Sequence, residues 1–84
     1  MSLENKNITI KVSFTGLIDV KNFNSDSNLS VKSKSTINDV LGVLGIRPQH
    51  KRFIITLIND NKERLTYILK DGDHLSLFLP VGGG

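Results

Sequence analysis

The chain has 84 residues, 38% hydrophobic and 23% charged, with no cysteine, a formal net charge of +3 and a pI near 9.5. A chain of this length makes one domain that buries only about 60–65% of the surface it exposes when unfolded, so a roomy enclosed active site is not expected. The missing thiols exclude disulfides, iron–sulfur ligation, thiolate zinc sites, a cysteine nucleophile and a persulfide carried on a side chain, and no apolar run approaches the ~20 residues that span a bilayer, so no membrane partner is expected.

Residues 1–7, Met1-Ser2-Leu3-Glu4-Asn5-Lys6-Asn7, lack the charged-then-apolar pattern of a secretory signal. They read as a disordered or tag-derived N-terminus, and the expected location is cytoplasmic. The segment Ile8 to Phe14 alternates strictly, with Ile8, Ile10, Val12 and Phe14 on one face and Thr9, Lys11 and Ser13 on the other, which predicts a half-buried strand. After Gly16 the polar stretch Lys21 to Asn28 reads as an excursion or wide hairpin loop, followed by a second strand over Leu29 to Ser33.

From Ser35 the period changes. Ile37, Val40, Leu41 and Leu44 stand at i, i+3, i+4 and i+7, one apolar stripe of a short helix. Thr36 or Ser35 can cap it, Asp39 complements the dipole in the first turn although it is one methylene shorter than the usual capping-box Glu, and Gly45 followed by Pro48 ends it. The basic run Arg47-Pro48-Gln49-His50-Lys51-Arg52 reads as a solvated loop. Only Phe53 adjoins it as a stacking surface, so nucleic acid is not an expected partner.

Phe53 to Asn59 is apolar on both alternating sets, Phe53/Ile55/Leu57 and Ile54/Ile58, the pattern of a central strand covered on one side by the helix. Asn59-Asp60-Asn61 reads as a turn, Glu63 to Thr66 as a short edge strand, and Lys70-Asp71-Gly72-Asp73 as a tight turn into a last strand, His74 to Leu79. That strand places Leu75, Leu77 and Leu79 on one face and His74, Ser76 and Phe78 on the other. The order strand, strand, helix, strand, short strand, strand is an α+β pattern, one helix covering one face of a mixed four- to five-stranded sheet.

Catalytic and metal constellations are not evident in this body. His50 and His74 have no companions at metal-ligand spacing. Asp71 and Asp73 suit turn chemistry, bonding local backbone amides, better than acid–base catalysis. No Ser-His-Asp set or phosphate-cradling loop assembles from the sequence. The unusual feature is the end: Leu79-Pro80-Val81-Gly82-Gly83-Gly84 runs from a strand into proline, which removes a ladder donor, and then into residues without Cβ. Such a tail is expected to be thin and mobile, to enter a narrow tunnel in a partner, and to present an unhindered carboxylate at Gly84.

The segment Leu69 to Gly84, with its Asp71-Gly72-Asp73 turn, apolar strand and terminal Gly83-Gly84, resembles the closing segment of the MoaD/ThiS-type sulfur carriers, as does the Ser/Thr-rich entry Ser35-Thr36 into a single helix. The resemblance extends from Ile8, and Leu77-Phe78 with Pro80-Val81 is most similar to the tail of the molybdopterin synthase small subunit, although Leu79 stands where that type commonly carries a first proline. No Arg-Glu pair of that branch follows the first strand.

The resemblance implies a ubiquitin-like β-grasp domain over 8–80 and a flexible functional tail over 81–84. It implies that Gly84 is adenylated by an E1-like adenylating enzyme using ATP, then carries sulfur as a thiocarboxylate to a large synthase subunit or another sulfur-accepting enzyme, the domain itself binding no cofactor. Pro80, Val81, Gly82 and Gly83 would serve the tail, and the outward Phe78 would anchor a partner. The small subunit of a molybdopterin synthase, in molybdenum or tungsten cofactor synthesis, is the role the resemblance favours, and a sulfur carrier for thiamin thiazole or tRNA thiolation, or a ubiquitin-like protein modifier or interaction module, are the alternatives it leaves open.

Overall fold

A computed structural model describes residues 6–15, 18, 20 and 23–79 of the chain. Along Asn7–Phe14 (β1) the alternation seen in the sequence becomes a strand with Ile10 and Val12 buried and Thr9 and Lys11 exposed. It pairs antiparallel with Ser27–Lys32 (β2), Ile10 opposite Leu29 and Ile8 opposite Val31. Strand β2 thus begins two residues before the point expected from its apolar positions. Asp26, with φ 65°, turns the chain, and its N–H donates to the Val12 carbonyl at 2.8 Å, so pairing starts at once.

Helix α1 (Ile37–Val43) is set by its caps. Thr36 Oγ1 accepts from the Asp39 N–H at 3.2 Å and Asp39 Oδ2 accepts from the Thr36 N–H at 2.9 Å, so the short Asp closes a full capping box. The Thr36 amide bond, with the Thr36 hydroxyl and then the Lys51 charge assisting, holds the Asp39 carboxyl below its ordinary value. The N–H groups of Ile37 and Asn38 reach the carbonyls of Tyr67 and Leu65 at 3.1 and 3.0 Å. All four donors that a helix start normally leaves open, the N–H groups of Thr36, Ile37, Asn38 and Asp39, are thereby satisfied.

At the other end Gly45 takes φ +82°, its N–H bonding the Gly42 carbonyl while the Ile46 N–H bonds that of Leu41 at 3.0 Å, a Schellman closure. Pro48 then does more than prevent continuation: it opens a single turn of helix, α2 (Pro48–Lys51), where a solvated loop was expected. Proline suits a first helical position because its missing N–H has no partner there.

The remaining strands are β3 (Ile55–Ile58), β4 (Asn61–Lys62) and β5 (His74–Phe78), in a five-stranded sheet of order β2-β1-β5-β3-β4. The central strand is β5, parallel to β1 and antiparallel to β3. The doubly apolar segment Phe53 to Asn59 therefore lies next to an edge, and Phe53 falls before the strand with 58% of its surface exposed. Asn59 and Asp60, φ 50° and 72°, form the two-residue link of the β3–β4 hairpin, so Asn61 belongs to the strand rather than to the turn. Residues 63–66 form no strand. They leave the sheet edge and cross toward the start of α1, where Thr36 and Ile68 form an isolated bridge.

The core lies between the sheet and α1. Ile10, Val12, Leu75 and Leu77 from the sheet meet Ile37, Val40 and Leu41 from the helix, all of them at most 1% exposed. Among the described residues no helix is long and apolar enough to cross a membrane.

Candidate functional site

The register of the three strands around β5 assembles the face turned away from α1. On β5 the core side takes Leu75 and Leu77, so alternation turns His74, Ser76 and Phe78 to the other face, as expected from the sequence. Pairing β5 with β3 sets Ile55 opposite Phe78 and Leu57 opposite Ser76. Ile55 and Leu57 are half-buried, and Phe78 keeps 42% of its surface exposed. Across β5 the neighbours are polar, Lys11 beside His74 and Ser13 beside Ser76. The open face is thus divided, apolar over β3 and the end of β5, polar over β1.

Phe78 is the last residue of β5, and Leu79 follows it half-buried against the core. The expected tail residues Pro80, Val81, Gly82, Gly83 and Gly84 lie outside the described residues. The apolar patch therefore sits two residues from where the tail begins. Sequence reading found Phe78 but not its companions: Ile55 and Leu57 were legible as one face of a strand, and only the β3–β5 register joins them to Phe78. Phe23, from the polar loop, packs on Phe14 with ring centroids 6.3 Å apart.

On the polar half, Ser13 Oγ donates to Asp26 Oδ1 at 2.5 Å and lies 2.7 Å from His74 Nε2. A Ser, a His and an Asp do come together here, though none was expected to. Their order is wrong for nucleophilic catalysis, which needs the His between the other two. The single hydroxyl proton of Ser13 goes to the carboxylate, so His74 Nε2 must donate to Ser13 and cannot act as its base. The cluster ties the Asp26 turn to the sheet. His50 is exposed on α2. Among the described residues no group of three or more His, Asp or Glu is placed to hold a metal ion.

The Lys70 to Asp73 turn forms as expected, the Asp73 N–H bonding the Lys70 carbonyl at 3.0 Å with Gly72 at φ +87°. Its carboxylates reach farther than local amides. Asp71 Oδ1 accepts from the Thr9 N–H on β1 at 2.8 Å. Asp73, 6% exposed, accepts from the Lys70 N–H, the Tyr67 hydroxyl and the Asn59 side-chain amide. With three donors satisfying it, Asp73 is a structural acceptor that fixes the entry to β5. Burial first, then the bond to Asp73 and the charges of Asp73 and Glu63, push the Tyr67 phenol above its ordinary value.

Similarity to known proteins follows the same outline. No curated protein sequence matches the chain. Among solved structures, the small archaeal modifier protein 1 of H. volcanii superimposes with a TM-score of 0.66 at 23% identity, over 88% of this chain and 99% of that one. A second structure, SAMP1 from Haloferax volcanii, gives 0.61 at 27% identity, over 94% and 100%. The complex of subunits 1 and 2 of the molybdopterin-converting factor from Helicobacter pylori contains a chain that gives 0.55 at 27% identity, over 92% and 100%. The mixed five-stranded sheet on one helix is accordingly a ubiquitin-like β-grasp fold. Residues 14–84 match the ThiS family, and with that extent of the sequence matched the chain belongs to this family of ubiquitin-like sulfur carriers and modifiers.

Proposed function

We propose that the protein carries sulfur as a thiocarboxylate at Gly84 and serves as the small subunit of a molybdopterin synthase. The observation that carries this reading is the ThiS family match over residues 14–84, which takes in the glycine tail together with β2 to β5 and α1. The relative in the molybdopterin-converting factor complex supports the choice of a larger partner subunit. In this reading a Gly84 carboxylate oxygen attacks the α-phosphate of ATP on an E1-like adenylating enzyme, and pyrophosphate leaves. Hydrosulfide-level sulfur from a donor then displaces AMP, a C–S bond replacing the C–O bond. Phe78, Ile55 and Leu57 form the docking patch that holds the partner while the tail reaches its site.

The test is mass spectrometry of the C-terminal peptide after incubation with ATP, the adenylating enzyme of the same organism and a sulfur donor. A sulfur-for-oxygen exchange at Gly84 is the expected result, and an unaltered carboxylate with every such enzyme of that organism overturns it. Co-purification of a large synthase subunit distinguishes the molybdopterin destination from thiamin thiazole or tRNA thiolation. The 27% identity with SAMP1 favours a second reading, a protein modifier joined through Gly84 by an isopeptide bond. It predicts a branched conjugate of two polypeptides in place of the thiocarboxylate.

A further inference from the structure

Four cationic side chains separated in sequence meet at the β4 edge of the sheet. Lys51 and Arg52 from the end of α2, and Lys62 and Arg64 from β4 and the residues after it, line one groove of about 540 Å³ with Glu63 as the single carboxylate. Four cations against one carboxylate give this surface a local excess of positive charge. Arg52, Lys62 and Arg64 are exposed, while the Lys51 ammonium is bonded to Asn38 Oδ1 at 3.0 Å on α1.

The same groove is apolar beneath its charges. Ile55 and Leu65 contribute to it, and Phe53, 58% exposed, lies with the Arg52 guanidinium 6.0 Å from its ring centroid. An exposed phenyl ring among cations anchors an apolar or aromatic side chain while the charges pair with carboxylates around it. Ile55 is also the partner of Phe78 across β3 and β5, so the groove opens onto the apolar half of the sheet face.

We propose that this groove binds an acidic polypeptide segment of a partner protein, with an apolar residue seated on Phe53 and carboxylates on Arg52, Lys62 and Arg64. Charge complementarity selects the sign of the occupant, and the apolar lining selects polypeptide over nucleic acid. A single-stranded nucleic acid needs successive aromatic platforms for successive bases, and this groove offers one. The inference is independent of tail chemistry, because binding here requires no activated Gly84.

The test uses the full chain and two fluorescent probes, an acidic dodecapeptide of Glu with two Leu and one Phe, and an oligouridylate of equal charge, followed by anisotropy. The peptide is expected to bind, and its affinity to fall about fivefold or more between 50 and 300 mM salt as the charges are screened. Arg52→Glu/Arg64→Glu should weaken it about tenfold or more, and Phe53→Ala severalfold. Lys32→Glu/Lys70→Glu, an equal charge change outside the groove, should leave it within about twofold, on the scale of energetically neutral positions. Peptide binding unaffected by the groove variants, oligouridylate bound in preference to the peptide, or no binding of either overturns the proposal. Circular dichroism melts of each variant separate lost binding from lost fold.

Discussion

The Tyr67 hydroxyl donates to Asp73 Oδ2 at 3.0 Å, tying the segment that crosses from β4 to the turn that launches β5. Burial and this carboxylate raise the phenol above its ordinary value of 10.0. A raised folded value favours the neutral form, so the linked stability is fully present below the unfolded value and is lost as pH rises through the folded one. Tyr67 is the only tyrosine and tryptophan is absent, so phenolate absorbance reports this group alone. Its midpoint should lie above 10.0, with stability declining over the same range. Asp73→Asn should lower that midpoint by removing the nearby charge. A wild-type midpoint at or below the ordinary value would contradict the assignment.

The capping box gives a second expectation. Thr36→Ala removes the acceptor for the Asp39 N–H and should cost about 1 kcal/mol in denaturant unfolding. Asp39, with its carboxyl held low chiefly by the Thr36 amide, contributes stability present above its unfolded value and lost as pH falls through the folded one. Asp39→Asn should therefore flatten the acid limb of the stability curve, and an unchanged limb would show that the box contributes nothing in solution.

What the sequence made legible was local. The period change at Ser35, the Gly45 stop, the Asp71-Gly72 turn and the alternation in β1 and β5 each depend on neighbours in the chain, and each is present in the fold. Strand order was not legible in the same way. Phe53 to Asn59 has more apolar residues than β5, yet β5 is central because the parallel β1–β5 pair is set by long-range packing. For the same reason Phe78 was readable as outward-facing, while its Ile55 neighbour and the meeting of Lys62 with Arg52 required the β3 register and the position of α2.

Phe78→Ala should separate binding from folding. The ring is 42% exposed at the end of β5, so truncation should cost under about 1 kcal/mol of stability, whereas Leu77→Ala in the core should cost about 2–5 kcal/mol. If the patch docks a partner, Phe78→Ala should weaken the complex by about 2 kcal/mol, the scale of an aromatic hot spot. Calorimetry of the complex and of thermal unfolding measures both. A large stability loss with affinity unchanged would place Phe78 in a structural role.

The tail prediction separates chemistry from stability most sharply. Gly82, Gly83 and Gly84 carry no side chain to bury, so deleting them should change unfolding free energy by less than about 0.5 kcal/mol while abolishing thiocarboxylate formation. Adding one residue is the more stringent change, because it keeps every native residue and moves the carboxylate outward by ~3.3–3.6 Å in an extended chain. In-line attack on the α-phosphate requires placement far finer than that, since a shift of about 1 Å can cost on the order of a hundredfold in rate. An extension by one glycine should therefore block adenylation even though it adds no Cβ, and an alanine should block it equally. Pyrophosphate release with the adenylating enzyme measures the step directly. If the glycine extension reacts at the native rate while the alanine one fails, side-chain exclusion sets the requirement and the position of the carboxylate does not.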